Sequence, residues 1–256
     1  VLNSSLVQEG LKKSGDWKYE TSAVRKSGIK FGGIKYMSFH IVADSCCELT
    51  ADMKKRGNIE IAPLTLEVGG ESILDDETFD QKYFLKRVAE CPECPKSACP
   101  SPDYFRKSFL NGAERCYAVT LSAQLSGSYN SAVLGANLAQ EENEDLKIHV
   151  FNSRSASIGE TLIVKKIVEC EEAGMSFERV VETVELYIST QNTYFVLENL
   201  ETLRKNGRLS KTKALVASAL KIKPVMGATS EGDIVQLDQA LSLIHISEPT
   251  RRTPIS

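Results

Sequence analysis

The segment Thr120-Leu121-Ser122-Ala123-Gln124-Leu125-Ser126-Gly127-Ser128-Tyr129-Asn130-Ser131 has the residue types best suited to holding an anion. It joins an apolar strand pattern, Tyr117 to Leu121, to a helical pattern, Tyr129 to Ala139. Such a junction leaves backbone N–H groups unpaired at the helix N-terminus, where the macrodipole favours negative charge. Ser126 and Ser128 add neutral hydroxyl donors, so the segment suits a carboxylate or a phosphate. The same serines would also serve as plain N-caps, a role that needs no ligand.

A serine nucleophile would need a base beside it. The sequence has no G-x-S-x-G elbow, His40 and His149 fall in strand patterns, and His245 lies near the end of the chain. A G-x-x-x-x-G-K-[ST] phosphate loop and a full G-x-G-x-x-G fingerprint are also missing. Neutral donors without a base describe a binder, with a serine-dependent acyl hydrolase as the enzymatic alternative. Cys91-Pro92-Glu93-Cys94, followed by Cys99, offers a third chemistry, metal binding or thiol exchange. Structural zinc usually takes a second closely spaced pair, which the sequence lacks.

From Arg204 to Lys223 the chain carries seven basic residues (Arg204, Lys205, Arg208, Lys211, Lys213, Lys221, Lys223) and no acidic one. Arg208 and Lys211 are expected near the start of a helix, where cations oppose the dipole, which hints at an external anionic partner. The bland alternative is a solvated basic face. Aromatic residues for stacking on bases are not interleaved, and the net charge of −3 with a pI near 5.8 argues against nucleic acid.

These groups must be positioned by alternating strands and helices. Strand patterns fall at His40 to Ala43, Ile59 to Val68, Tyr117 to Leu121 and Ile148 to Phe151. Helical patterns fall at Phe79 to Ala89, Pro102 to Leu110, Tyr129 to Ala139 and Glu160 to Glu172. The alternation predicts an α/β fold with a largely parallel sheet and ligands at the carboxyl ends of its strands. A second, incomplete α/β unit is expected over 176–240, with a long helix to about Thr190, a strand at Tyr194 to Leu197 and a helix in Lys211 to Leu220. The first lobe is expected over 37–175. Residues 1–36 lack sustained periodicity, and Gly32-Gly33 ahead of Met37 suggest an upstream stretch translated by mistake. Residues 241–256 continue no pattern either, and both ends are expected to be non-native. Seven cysteines, two of them adjacent (Cys46 and Cys47), suit free thiols in a reducing compartment, and no signal or spanning segment is visible. A cytoplasmic location is expected.

Taken in order, several pieces resemble the DegV family. They are Val42-Ala43-Asp44-Ser45, Pro63-Leu64, the run Leu121 to Ala132, Asn152-Ser153, Asn206-Gly207-Arg208-Leu209-Ser210-Lys211-Thr212-Lys213, and Lys221-Ile222-Lys223-Pro224. The resemblance covers about Met37 to Ala240. It implies a bacterial, non-enzymatic carrier of two α/β lobes, with a long-chain fatty acid in a tunnel between them and no cofactor. Carried over, the acyl carboxylate is held by the Ser97 hydroxyl, in Lys96-Ser97-Ala98-Cys99-Pro100, and by Ser126 with Gly127. Ser97 stands where the family has Thr, and Ala98 and Cys99 where it has Ser and Gln. The resemblance further implies a partner, a fatty acid kinase that makes an acyl-phosphate for phospholipid synthesis and is engaged by Arg208, and it allows transient contact with a membrane surface.

The family's closing segment, with a glycine-flanked histidine, has no counterpart after Ala240. Several hundred Å² of uncovered apolar surface at about 25 cal/mol per Å² forfeits on the order of 10 kcal/mol. A chain ending this way is therefore expected to be marginally stable and to bind fatty acid poorly.

Overall fold

A computed structural model of the protein describes residues 39–197, 201–208 and 223–240. In chain order the first elements are β1 (Phe39–Asp44), α1 (Ala51–Lys54), β2 (Ile59–Ala62), β3 (Thr65–Val68), β4 (Glu71–Leu74), α2 (Gln81–Glu90) and β5 (Lys96–Ala98). There follow α3 (Pro102–Phe109), β6 (Arg115–Thr120), α4 (Ser128–Glu142), β7 (Lys147–Asn152), α5 (Ile158–Glu172) and α6 (Phe177–Thr190). The last are β8 (Tyr194–Val196), α7 (Glu201–Lys205), β9 (Lys223–Ala228) and β10 (Ile234–Ala240).

The main sheet is parallel, in the order β2-β1-β6-β7. All six residues of β1 are buried, as expected for a strand covered on both faces. The period-2 alternation sorts the sheet's side chains between two cores. Tyr117 and Val119 of β6 face α5 and α6, packing with Ile163, Ile167, Val180 and Val184. Cys116 and Ala118 face α3 and α4, packing with Phe105, Phe109, Ala132 and Ala136. Small residues on α4 let the two helices of that layer approach closely. A Cβ built on Gly135 would come within 2.6 Å of the Pro102 carbonyl oxygen and 2.7 Å of Phe105 Cβ. Ser101 caps α3 by accepting Tyr104 N–H, with Pro102 opening the helix.

The apolar run Ile59 to Val68 was expected to be one strand and is two. β2 joins the parallel sheet, while β3 belongs to an antiparallel sheet ordered β4-β3-β5. Pro63, which has no N–H and cannot donate to a ladder, sits at the break. α6, with which the second unit was expected to open, packs Val180, Val184 and Ile188 into the same core as β1 and β6. After it comes an antiparallel sheet ordered β10-β9-β8. The helix expected in Lys211 to Leu220 lies outside the described residues, as do 1–36 and 241–256. Among the described residues no helix is long and apolar enough to cross a membrane.

Candidate functional site

The carboxyl ends of β1 and β6 bring the hydroxyl-rich loop into place. Leu121 N–H donates to Asp44 Oδ2 at 2.9 Å, and Ala123 N–H donates to Asn152 Oδ1 at 3.1 Å, so both neighbouring strands hold the loop as it leaves the sheet. The Ser122 carbonyl accepts the Leu125 and Ser126 amides at 2.9 and 3.2 Å, closing a tight turn. Gly127 then stands at the N-cap of α4 with no side-chain bond, and Ser126 Oγ accepts Ser128 N–H at 3.2 Å. Ser126 therefore does act as a cap for one amide, while its own hydroxyl donates to Ser128 Oγ at 3.2 Å.

Ser97 arrives from the antiparallel sheet, where it pairs with Leu66. The two hydroxyl-bearing segments are tied by Arg208. Its Nη2 donates to Ser97 Oγ at 3.2 Å and its Nε donates to the Leu125 carbonyl at 3.0 Å. Asn206 reinforces the junction by donating to the Pro95 carbonyl at 3.0 Å. Gly127 fits closely against the same strand: a Cβ there would lie 3.2 Å from Cys99 Sγ. Ser131 Oγ donates to the Pro100 carbonyl at 2.5 Å, which fixes α4 against the far end of that segment.

Arg208 lies just past the end of α7; the helix expected to follow it, in Lys211 to Leu220, lies outside the described residues. Arg208 N–H donates to the Leu203 carbonyl and Gly207 N–H to the Arg204 carbonyl, at 2.9 and 3.1 Å, with Gly207 at φ +67°. This is the paired bonding of a Schellman end, where glycine is the easy occupant of the left-handed position and a cation agrees with the dipole. Lys211 lies outside the described residues.

No general base stands beside Ser126 among the described residues. His40 Nε2 lies 3.2 Å from Glu60, and His149 Nε2 lies 3.0 Å from Glu185. All seven cysteines are free. Cys91 packs against the small core of the antiparallel sheet, Cys94 Sγ accepts from Asn206 at 3.5 Å, and Cys99 faces Gly127. Among the described residues these three thiols form no group able to hold a metal; one such group exists elsewhere, at Asp44, Cys46 and Glu160. Burial pushes the Asp44 carboxyl up to about 6, against the lowering effect of the Leu121 and Cys46 amides. Burial and then the Asp44 charge push Glu160 well above the carboxylate range. Sequence reasoning missed this pair, whose members are far apart in the chain.

The three-stranded sheet β10-β9-β8 touches the loop directly. Ser122 Oγ donates to the Gly232 carbonyl, in the β9–β10 turn, at 2.8 Å. Gly232 has φ +95°, and a Cβ on it would meet Ser122 Oγ and the Arg154 Cα at 2.2 and 2.9 Å. A polar cavity of about 170 Å³ opens nearby, lined by Ser153, Arg154, Gln191 and Thr193; Ser97, Ser126 and Arg208 do not line it.

The sequence pattern of the DegV family matches residues 38–242. A DegV domain-containing protein of Streptococcus pneumoniae is 37% identical over 206 residues, which cover 80% of this chain and 73% of that protein. Among solved structures, a DegV family protein of Ruminococcus gnavus with vaccenic acid is 53% identical, with a TM-score of 0.79 over 82% of this chain and 74% of that one. The B3 protein of the Streptococcus pneumoniae fatty acid kinase, loaded with linoleic acid, is 35% identical, with a TM-score of 0.72 over 80% of this chain and 74% of that one. A family pattern over most of the chain, relatives at this identity and the shared fold lead to one conclusion: the chain belongs to the DegV family.

Proposed function

We propose that the protein is a fatty-acid carrier in the cytoplasm, holding a long-chain acyl carboxylate between the hydroxyls of Ser97 and Ser126, with Gly127 leaving room for the headgroup. The observation that carries this reading is the single guanidinium, Arg208, that bonds both to Ser97 and to the carbonyl preceding Ser126. Two neutral donors and a cation at a helix N-terminus form a site complementary to a carboxylate. The fatty acids held by the similar Ruminococcus gnavus and Streptococcus pneumoniae proteins support the ligand class. The carrier offers the headgroup to a separate fatty acid kinase for acyl-phosphate formation, with Arg208 at the mouth as the kinase contact.

Oleate titrated by calorimetry into the protein and into Ser97→Ala and Ser126→Ala tests this. Each variant is expected to weaken binding by roughly tenfold, the value of a hydrogen bond to a charged group. Equal affinity in all three would sink the reading. Burst release from an activated ester, abolished in Ser126→Ala, would instead establish the hydrolase.

A further inference from the structure

Behind the Ser126 loop lies a pair of carboxyl groups with no part in the proposed headgroup grip. Asp44 ends β1, Glu160 sits in the first turn of α5, and both are fully buried. An oxygen of each and the Cys46 sulfur lie within 4.8 Å of one another. Asp44 accepts Leu121 N–H at 2.9 Å and Cys46 N–H at 3.1 Å, and the Ser128 hydroxyl faces the same carboxylate. Glu160 Oε1 accepts Ser157 N–H at 3.1 Å. Its Oε2 meets no donor among the described residues, and the carboxyl as a whole faces Asp44. Two ionised carboxylates side by side at full burial repel each other and lose their hydration, which is prohibitively costly. One proton on Glu160 resolves the conflict, because Oε2 then donates to Asp44.

The pair reaches the candidate site through hydroxyls. Ser126 Oγ donates to Ser128 Oγ at 3.2 Å, Ser128 faces Asp44, and Asp44 holds the amide at which the loop begins. We propose that Asp44 and Glu160 share one proton and act as positioning residues: Asp44 holds the Leu121 amide and the Ser128 hydroxyl, the Ser128 amide fixes Ser126 Oγ, and the one Ser126 hydroxyl proton turns from Ser128 to an acyl carboxylate, a grip that loosens when the shared proton is lost. This deepens the carrier reading and rests on it.

The surroundings make that proton hard to replace. The loop after β1 contributes Cys46, Cys47 and Glu48, and the segment after β4 contributes Asp75, whose Oδ2 accepts from Ser45. β6 and α4 contribute the Leu121 amide and the Ser128 hydroxyl. None of these groups is a cation. Burial, the largest effect, also pushes the Cys46 thiol well above its ordinary range. Both carboxyls are raised in the fold, so the folded chain binds more protons than the unfolded one. Stability therefore falls as pH rises through the ordinary carboxylate range, through about 6 for Asp44, and on through the titration of Glu160.

The test titrates oleate into the protein and into Glu160→Gln, Asp44→Asn and Ser128→Ala between about pH 6 and 9, with thermal unfolding of the ligand-free proteins over the same range. Affinity of the unsubstituted protein is expected to fall about tenfold across the window, one unit of linked ionisation. In Glu160→Gln, whose amide has no proton to lose, that slope should flatten to what Asp44 alone contributes at the acid end of the window. Asp44→Asn and Ser128→Ala should weaken oleate several-fold at every pH, and Ser128→Ala leaves the acid pair in place should Asp44→Asn fail to fold. A Glu160→Gln profile that slopes like the unsubstituted protein's, or Ser128→Ala binding at full strength, would overturn the proposal. So would a stoichiometric divalent cation found by metal analysis and lost in Glu160→Gln. If the unsubstituted protein binds no oleate at any pH, the carrier reading fails by itself. The shared proton then stands if melting temperature falls with pH more steeply in the unsubstituted protein than in Glu160→Gln, which keeps only the Asp44 titration, and is sunk if the two fall alike.

Discussion

Arg208 Nη2 donates to Ser97 Oγ at 3.2 Å across 111 positions of sequence, while Nε of the same guanidinium donates to the Leu125 carbonyl. The antiparallel sheet and the strand-to-helix loop of the parallel sheet are thereby joined at one side chain. A planar fork can serve two acceptors at fixed separation, which a lysine ammonium cannot reproduce.

Arg208→Lys is therefore expected to behave like a loss of function. Removing two half-exposed hydrogen bonds costs about 1 to 2 kcal/mol, read as a shift in the urea midpoint with unchanged slope. Oleate affinity should fall alongside it. A lysine variant with unaltered midpoint and affinity would show that the bridge is incidental.

Gly127 and Cys99 should be energetically coupled. The Gly127 backbone, at φ −74°, accepts any residue, so the obstacle to alanine is the Cys99 sulfur 3.2 Å from the new methyl. The lower unfolded-chain entropy of alanine contributes about 0.4 to 1 kcal/mol in its favour, leaving stability nearly unchanged. Affinity for oleate is expected to drop severalfold in Gly127→Ala and to recover in the double variant with Cys99→Ala, as a double-mutant cycle measures.

Gly135 offers a contrast, since the atoms in its way are backbone and the root of a side chain. The Pro102 carbonyl and Phe105 Cβ cannot rotate aside, so Gly135→Ala must push α3 from α4. The expected loss is about 2 kcal/mol, the usual scale of overpacking, and chemical denaturation would measure it.

The acid limb of stability should report on Glu60. Hydrogen bonding to His40, and then to Ser108, holds its carboxyl below the ordinary range. A lowered carboxyl stabilises the fold above its unfolded pKa of about 4.3 and loses that contribution as pH falls through the folded value. The melting-temperature gap between the protein and Glu60→Gln should therefore be full at about pH 6 and close on acidification. A gap that persists unchanged to about pH 3 would contradict the assignment.

The strand-to-helix loop was legible because its chemistry is local: hydroxyls and glycine between two periodic segments leave few alternatives. Ser97 was legible by resemblance alone, since nothing in Lys96-Ser97-Ala98 marks a three-residue strand whose position depends on pairing with β3. Ile59 to Val68 read as one strand because its apolar pattern continues across Pro63, and only the missing N–H divides it between two sheets. The Asp44–Glu160 pair was invisible, because Glu160 fits a helix's first turn on sequence grounds and its partner lies at the end of a different element. The bond from Arg208 to Ser97 was not legible either, because it depends on where the end of α7, marked by Gly207, sets the guanidinium against a different sheet.

Gly232 ties the β10-β9-β8 sheet mechanically to the loop that follows β6. Its carbonyl rests on Ser122, and its missing side chain leaves the β9–β10 turn wedged against the backbone of Arg154. Any tilt of the three-stranded sheet must drag the turn that carries Ser126, and any ligand that stiffens this turn must brace the distant sheet. On the carrier reading proposed above, a fatty acid seated at Ser126 is therefore expected to be felt in the β9–β10 sheet, well away from the headgroup itself.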